Sequence, residues 1–110
     1  MANTFKNKLA ANIGTSLTTV YTAPAVTTTT VIGMSIANTT VNTVKASVVV
    51  VDNSAAVTTY LIKEAPIPAG GSLVIIGADQ KVVLETADYI RVQSDAAASL
   101  DVTMSMLEIT

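Results

Sequence analysis

Short stretches in which apolar and polar residues alternate run through most of the chain, and turn residues separate them. Val and Thr dominate these stretches; both are β-branched and favour pleated strands, whereas the helix formers Glu, Lys, Arg and Gln are scarce. Turn signals recur about every 8–12 residues, a spacing typical of sandwiches and barrels. The pattern therefore predicts an all-β fold, an antiparallel β-sandwich or jelly roll of about eight short strands.

The predicted strands are bounded by Gly, Pro, Asn, Asp and Ser, and they cover residues 16–22, 31–37, 41–52, 57–64, 72–76, 80–85, 89–94 and 100–109. Residues 1–14 are polar and rich in Asn, so we expect an N-terminal arm that could hold a helical turn over 6–11. The β-sandwich domain is then predicted over 15–110. Two prolines in 65–71 cannot donate ladder hydrogen bonds, which predicts a sheet edge or a crossing between sheets there.

The composition indicates a subunit of an assembly. Only 13% of the 110 residues are charged, against about 25% in an average domain, and 50% are hydrophobic. A monomer with so few charges has little to keep its surface soluble, so we expect a partner to cover part of that surface. The net charge of −2 and the six cationic residues argue against binding of nucleic acid.

Membrane and export signals are also missing from the pattern. No stretch of 18 apolar residues predicts a transmembrane helix, so we expect no membrane partner. The N-terminal residues have no apolar segment of signal-peptide length, and we expect the product to stay in the compartment where it is made.

Candidate chemistry is sparse, because the chain contains no His, Cys or Trp. That excludes a Ser-His-Asp triad, a cysteine nucleophile and any Cys/His zinc site. A calcium site or an acid–base pair of carboxylates remains open, but aspartates in turns and glutamates at strand ends are better explained as turn formers and solvated charges. The candidate carboxylates are Asp79, Asp88, Asp95 and Asp101 for a calcium site, and Glu64, Glu85 and Glu108 for an acid–base pair. We predict no catalytic residue, no cofactor and no metal.

Apolar residues that interrupt otherwise polar strand faces are candidates for subunit contacts. In the strands these are Val49, Val51, Leu107 and Ile109, and in the arm they are Phe5 and Leu9. Met104 and Met106 share a face with Val102, which predicts core packing. Thr27–Thr30 predicts the start of a strand with its hydroxyls in solvent.

Five segments of the chain resemble small structural proteins of tailed bacteriophages: TTVYTAPA at 18–25, VIGMSIANT at 31–39, YLIK at 60–63, IPAGGSL at 67–73 and DYIRV at 88–92. The resemblance covers about residues 15–110. One departure is Ala87-Asp88, where such proteins usually have Gly-Asp; Ala suits most turn positions except those with positive φ.

The resemblance implies a virion structural protein, made in the cytoplasm of the host bacterium, that stabilises the head as a capsid decoration (cement) protein. Its partners would be the major capsid protein and other copies of itself, with a trimer favoured by analogy. A neck, collar or tail component is the alternative within this class. An alternative of another class is a carbohydrate- or receptor-binding module, which would need Tyr21, Tyr60 and Tyr89 to converge on one face.

Overall fold

A computed structural model of the chain describes residues 2–77 and 80–110. All regular structure in that part of the chain is β, in nine strands. Their bounds are β1 Asn3–Ile13, β2 Thr18–Thr22, β3 Thr28–Asn38, β4 Val44–Asp52, β5 Val57–Ile67, β6 Ser72–Ile76, β7 Val82–Leu84, β8 Tyr89–Ser94 and β9 Leu100–Ile109. No helix in these residues is long and apolar enough to cross a membrane.

The strands form two packed antiparallel sheets, which confirms the predicted all-β sandwich. The five-stranded sheet has the order β1-β9-β3-β6, and β7 pairs with β3 further along the same edge as β6. The four-stranded sheet has the order β2-β8-β4-β5. The strands of each sheet come from both ends of the chain, so the fold depends on pairing between residues far apart in sequence.

The core lies between the two sheets, where alternate side chains of each strand point inward. The five-stranded sheet contributes Met104 and Met106, which are fully buried as predicted, together with Val31 and Ile36. Val48 lies opposite in the four-stranded sheet and is also inaccessible. The other buried members of this cluster are Ile13, Val20, Ala23, Met34, Val44, Ala46, Ile67, Ile76, Leu84, Ile90, Val92, Leu100 and Val102.

The segment predicted as an N-terminal arm is strand β1, at the edge of the five-stranded sheet. It pairs with β9 from Asn3 opposite Ile109 to Ala10 opposite Val102. The helical turn expected over 6–11 is therefore wrong. Only Ile13 of the strand is buried, so backbone hydrogen bonds to β9 hold most of β1 in place. The sequence therefore lacks the alternation of buried and exposed residues by which a strand is usually predicted.

The proline-rich segment is at a sheet edge and leads to the other sheet, as predicted. Pro66 lies in β5, the edge strand of the four-stranded sheet, and the chain then continues into β6 of the five-stranded sheet. The strands predicted over 72–76, 89–94 and 100–109 have the predicted bounds, whereas β3 begins earlier, at Thr28. The predicted turn at Gly77–Asp79 lies partly outside the described residues.

The four-threonine run differs from its prediction, since two of its hydroxyls are buried. Thr27 and Thr29 are 3% and 0% exposed. The Thr27 hydroxyl donates to the Ala25 carbonyl, and the Thr29 hydroxyl is bonded to that of Tyr21. These partners compensate for the lost hydration of the two groups.

Candidate functional site

The candidate site is the outer face of the five-stranded sheet, defined by the outward side chains of β1, β9, β3, β6 and β7. Directly paired residues of neighbouring strands point to the same side of a sheet, so the register arranges these side chains in rows. One row consists of Phe5, Leu107, Thr30 and Val83, each the partner of the next. The ends of this row, on the two edges of the sheet, are apolar.

A second row has the same arrangement. Leu9 pairs with Thr103, Thr103 with Ser35, and Ser35 with Val74. The ends are again apolar and the centre carries hydroxyl groups. In both rows the outer face therefore has apolar side chains at its two edges and a mixed hydroxyl and aliphatic centre. Asn3 and Asn7 lie on the same side of the β1 edge and alternate with Phe5 and Leu9.

The apolar side chains at the edges are open to solvent. Phe5 is 77% exposed, Leu9 64%, Val74 67% and Val83 59%. Among the described residues, these are four of the eight exposed large hydrophobic side chains, the others being Val26, Val41, Val57 and Tyr60. Half of the exposed large apolar side chains are thus on one face, a concentration that usually marks a contact surface.

Charge is nearly missing from the same face. Of the paired side chains that point outward from these five strands, only Asp101 is charged, and it lies at one end. Its carboxylate accepts a hydrogen bond of 3.1 Å from the backbone N–H of Asn12. Lys6 and Lys8 are on β1 but alternate to the other side, opposite the buried Met106 and Met104.

The other sheet presents a different outer surface. Lys45 and Arg91 stand on the outward side of β4 and β8, and the Arg91 guanidinium donates to the Leu17 carbonyl at 3.1 Å. A partner that covers this surface would have to desolvate cations, which is costly without matching acidic groups. Of the two outer surfaces, the face of the five-stranded sheet is the better contact surface.

Four of the six residues predicted as contacts are on this outer face. Phe5 and Leu107 are neighbours in the first row, Leu9 ends the second row, and Ile109 pairs with Asn3 and Thr28 beyond the first row. Leu107 and Ile109 are half-buried, while Phe5 and Leu9 are largely exposed.

The other two, Val49 and Val51, are buried within the chain, so the expectation that they lie on an exposed apolar surface is wrong. They are 1% and 8% exposed and belong to β4, in the middle of the four-stranded sheet. Val49 is flanked on its own face by its cross-strand partners Tyr60 and Arg91. Val51 is flanked in the same way by Tyr89, so long side chains stand beside both valines on that face.

Two exposed residues of the outer face, Val74 and Val83, were not singled out from the sequence. Each lies in a short apolar stretch, LVII over 73–76 and VVL over 82–84. Such continuous stretches do not reveal which residues point outward, because both faces look apolar. The register with Ser35 and Thr30 supplies that information.

A polar cluster joins the two sheets at their open edge and was not anticipated either. Glu108 of β9, 6% exposed, accepts a hydrogen bond of 2.6 Å from the Tyr21 hydroxyl of β2. The Glu108 carboxylate also lies 3.0 Å from the Lys6 ammonium, and the Tyr21 hydroxyl is 2.8 Å from that of Thr29. Lys6, Lys8, Tyr21 and Met106 help to line an adjoining groove of about 420 Å³.

The cluster shifts the pKa values of its members in opposite directions. The hydrogen bond from Tyr21, with help from Lys6, holds the pKa of Glu108 below its ordinary value although burial opposes this. Burial, followed by the hydrogen bond to Glu108, raises the pKa of Tyr21 to about 12. Glu108 is therefore a charged acceptor and Tyr21 a neutral donor at neutral pH, which suits a structural link between sheets.

The remaining carboxylates mostly serve the backbone. Asp88 accepts hydrogen bonds of 3.0 Å from the backbone N–H groups of Asn53 and Glu85, and Asp95 accepts one of 2.9 Å from that of Lys45. Side-chain oxygens of Asp52, Glu85 and Asp88 lie within 4.8 Å of one another. Of the glutamates weighed as an acid–base pair, Glu64 is exposed on β5 in one sheet and Glu108 is buried in the other; Asp79 lies outside the described residues.

The three tyrosines do not converge as a ring-stacking sugar site would require. Tyr21 points between the sheets, whereas Tyr60 and Tyr89 point outward from the four-stranded sheet. Tyr60 has the Lys63 ammonium 5.3 Å from its ring centroid.

Comparisons with models of protein families, with curated protein sequences and with solved structures find no match to this chain.

Proposed function

We propose that this chain is a structural protein of a bacteriophage virion, a head decoration protein that acts through non-covalent contacts made by its outer face. The observation that carries the proposal is the concentration of exposed apolar side chains on a face whose paired outward side chains, within residues 2–77 and 80–110, include a single charged group. The sequence segments that resemble small phage structural proteins supply the class of particle.

The physical case rests on what this surface gains from contact. Solvent-exposed Phe, Leu and Val side chains leave water when a partner covers them, at roughly 25 cal/mol for each Å² of apolar area removed. The hydroxyl groups in the centre of the face can bond to a partner's backbone or to bridging water. A rigid sandwich that loses little conformational freedom on docking suits a protein used in many identical copies on a particle.

The first test of the proposal is the composition of the particle. We expect quantitative mass spectrometry of purified virions of the phage that encodes this chain to find it in many copies. Electron cryomicroscopy should place it on the head surface. Density at the neck or tail would favour the alternative virion location, and absence from the purified particle would contradict the proposal.

The second test concerns the surface. Purified chain is added to heads that lack it, and binding is measured by co-sedimentation. Leu107→Lys should abolish binding, because it places a cation in the middle of the outer face. Val41→Lys is the matched control, since Val41 is 89% exposed in a loop outside that face. Equal binding by both variants would exclude the outer face as the contact surface.

A further inference from the structure

We infer that the outer face of the five-stranded sheet is covered by a second copy of this chain, packed face to face. This inference rests on the proposed function in that it names the occupant of the same surface. The contact that the outer face makes on the head is then a contact with a neighbouring copy, and Leu107→Lys lowers binding to heads because it removes that copy. Three properties of the face, namely its charge, its area and the order of its rows, point to this occupant.

The low charge of the outer face allows two copies of it to pack against each other. Identical surfaces bring like charges together, and a face studded with lysines or carboxylates would repel its own copy. Here the one charged side chain, Asp101, lies at one end of the strands and is bonded to the backbone of Asn12. The same lack of charge offers nothing to a strongly basic or acidic partner, so electrostatics favours another uncharged face.

Area is sufficient for a stable dimer. Strands of about ten residues and four strand positions give a flat face of about 600 Å², from spacings of about 3.3 Å per residue and 4.8 Å per strand. Two copies would then bury about 1,200 Å² or more, which reaches the lower limit of standard-size interfaces.

The order of residues across the face makes it complementary to itself. In the first row, Phe5 lies on the β1 edge and Val83 on the β7 edge. In the second row, Leu9 and Val74 hold the corresponding places. A two-fold axis between the faces and along the strands places Phe5 against Val83 of the second copy and Leu9 against Val74. An axis across the strands, midway between the two rows, places Phe5 against Leu9 and Val83 against Val74. The two sheets would then pack as the sheets of a sandwich do.

Edge-to-edge pairing of β1 with a second β1 is disfavoured by comparison. If two antiparallel copies of β1 paired over the full strand Asn3–Ile13, Lys8 of one copy would lie opposite Lys8 of the other. Lys6 would lie diagonally beside it, because Lys6 and Lys8 are on the same side of the strand. Lysine on an edge strand is a recognised device against such pairing.

Sedimentation velocity of the purified chain over a concentration series tests the inference. We expect a species of twice the 11.3 kDa monomer mass. Leu107→Lys should weaken self-association by at least about tenfold, because two cations would be desolvated in one interface. Val41→Lys should associate like the unmodified chain. Thr103→Lys, at an exposed hydroxyl position in the centre of the face, repeats the test where folding is not at risk.

A chain that stays monomeric over the whole series overturns the inference, and so does an oligomer that Leu107→Lys and Thr103→Lys leave intact. The proposed function fails separately. A monomer that is still found in virions overturns only the face-to-face contact, whereas a dimer that is absent from virions overturns only the virion role.

Discussion

Asn38 ends strand β3 with a buried carboxamide whose polar atoms are all bonded. The Nδ2 group donates to the carbonyls of Asn42, Ile67 and Pro68 at 2.7, 2.9 and 3.2 Å. Its Oδ1 accepts hydrogen bonds from the backbone N–H and the hydroxyl of Thr40. One side chain thus joins the β3–β4 turn to the end of β5, and the turn predicted at 38–40 forms around it.

Ala87 is a residue whose backbone conformation does not suit its side chain. Its φ is 72°, in the left-handed region that costs an L-residue roughly 1–2 kcal/mol. This is the position at which the resembling phage proteins usually have Gly. The departure that looked harmless in the sequence therefore falls on the one type of turn position that Ala does not suit.

We predict that Ala87→Gly stabilises the fold by about 0.5–1 kcal/mol, because relief of the strained φ exceeds the larger entropy that Gly has in the unfolded chain. Urea denaturation measures the difference in the free energy of unfolding. Ala69→Gly, at a turn position whose own φ is not positive, is the control and should destabilise the fold slightly. A loss of stability in Ala87→Gly would contradict the prediction.

Strand β1 has almost no apolar side chains that point into the core. Its ten residues from Asn3 to Asn12 are exposed or half-buried, and it is held mainly by its ladder to β9. The neighbouring strands β9 and β3 bury alternate residues in the core. Local stability follows buried apolar contacts, so the two kinds of strand should differ in how often they open.

We expect β1 to open without unfolding of the remaining sheet. In hydrogen exchange read by NMR, the β1 amides bonded to β9 should exchange faster than the β9 amides bonded to β3, because little side-chain burial is lost when β1 detaches. Both sets of amides are hydrogen-bonded between strands, so a difference in their exchange rates reports how often each strand opens. Equal protection of both sets would show that β1 opens only with the whole fold.

The polar cluster of Tyr21, Glu108 and Lys6 bridges the two sheets of the sandwich, because its members come from strands of both sheets. Tyr21 belongs to the four-stranded sheet, and Glu108 and Lys6 to the five-stranded one. The hydrophobic core holds the two sheets together through contacts that have no preferred direction. The bridge adds a directional link that depends on the protonation of its two acidic members.

Stability should therefore fall at both ends of the pH range. The folded-state pKa of Glu108 is lowered, so its contribution is present above the ordinary value of 4.5 and is lost as the pH falls through the folded-state pKa. The pKa of Tyr21 is raised from 10.0 to about 12, so its contribution is present below pH 10 and is lost as the pH rises toward 12.

Urea midpoints measured across the pH range check both losses. Glu108→Gln should flatten the acid loss and Tyr21→Phe the alkaline loss. Glu64→Gln, an exposed carboxylate on β5, is the control and should keep the profile of the unmodified chain. An acid loss that is unchanged in Glu108→Gln would show that other carboxylates cause it.

Two groups of predicted contact residues illustrate what can be inferred from sequence alone. Phe5, Leu9, Leu107 and Ile109 were found because each interrupts a locally polar pattern, and they share the outer face. Val49 and Val51 interrupt a polar pattern in the same way, yet they are buried. The difference lies in the neighbouring strands, which place Tyr60, Arg91 and Tyr89 beside the two valines.

The sequence by itself determined the all-β class, the exact bounds of β6, β8 and β9, the burial of Met104 and Met106 and the crossing between sheets after the prolines. It could do so because alternation and turn chemistry are local properties of the chain. Only the tertiary structure decided that residues 3–13 are a strand, that Glu108 is buried and that Val74 and Val83 point outward. Each of these depends on a partner far away in the chain, such as Phe5 opposite Leu107. Pairing over such separations is set by the packing of the whole fold, which no local pattern contains.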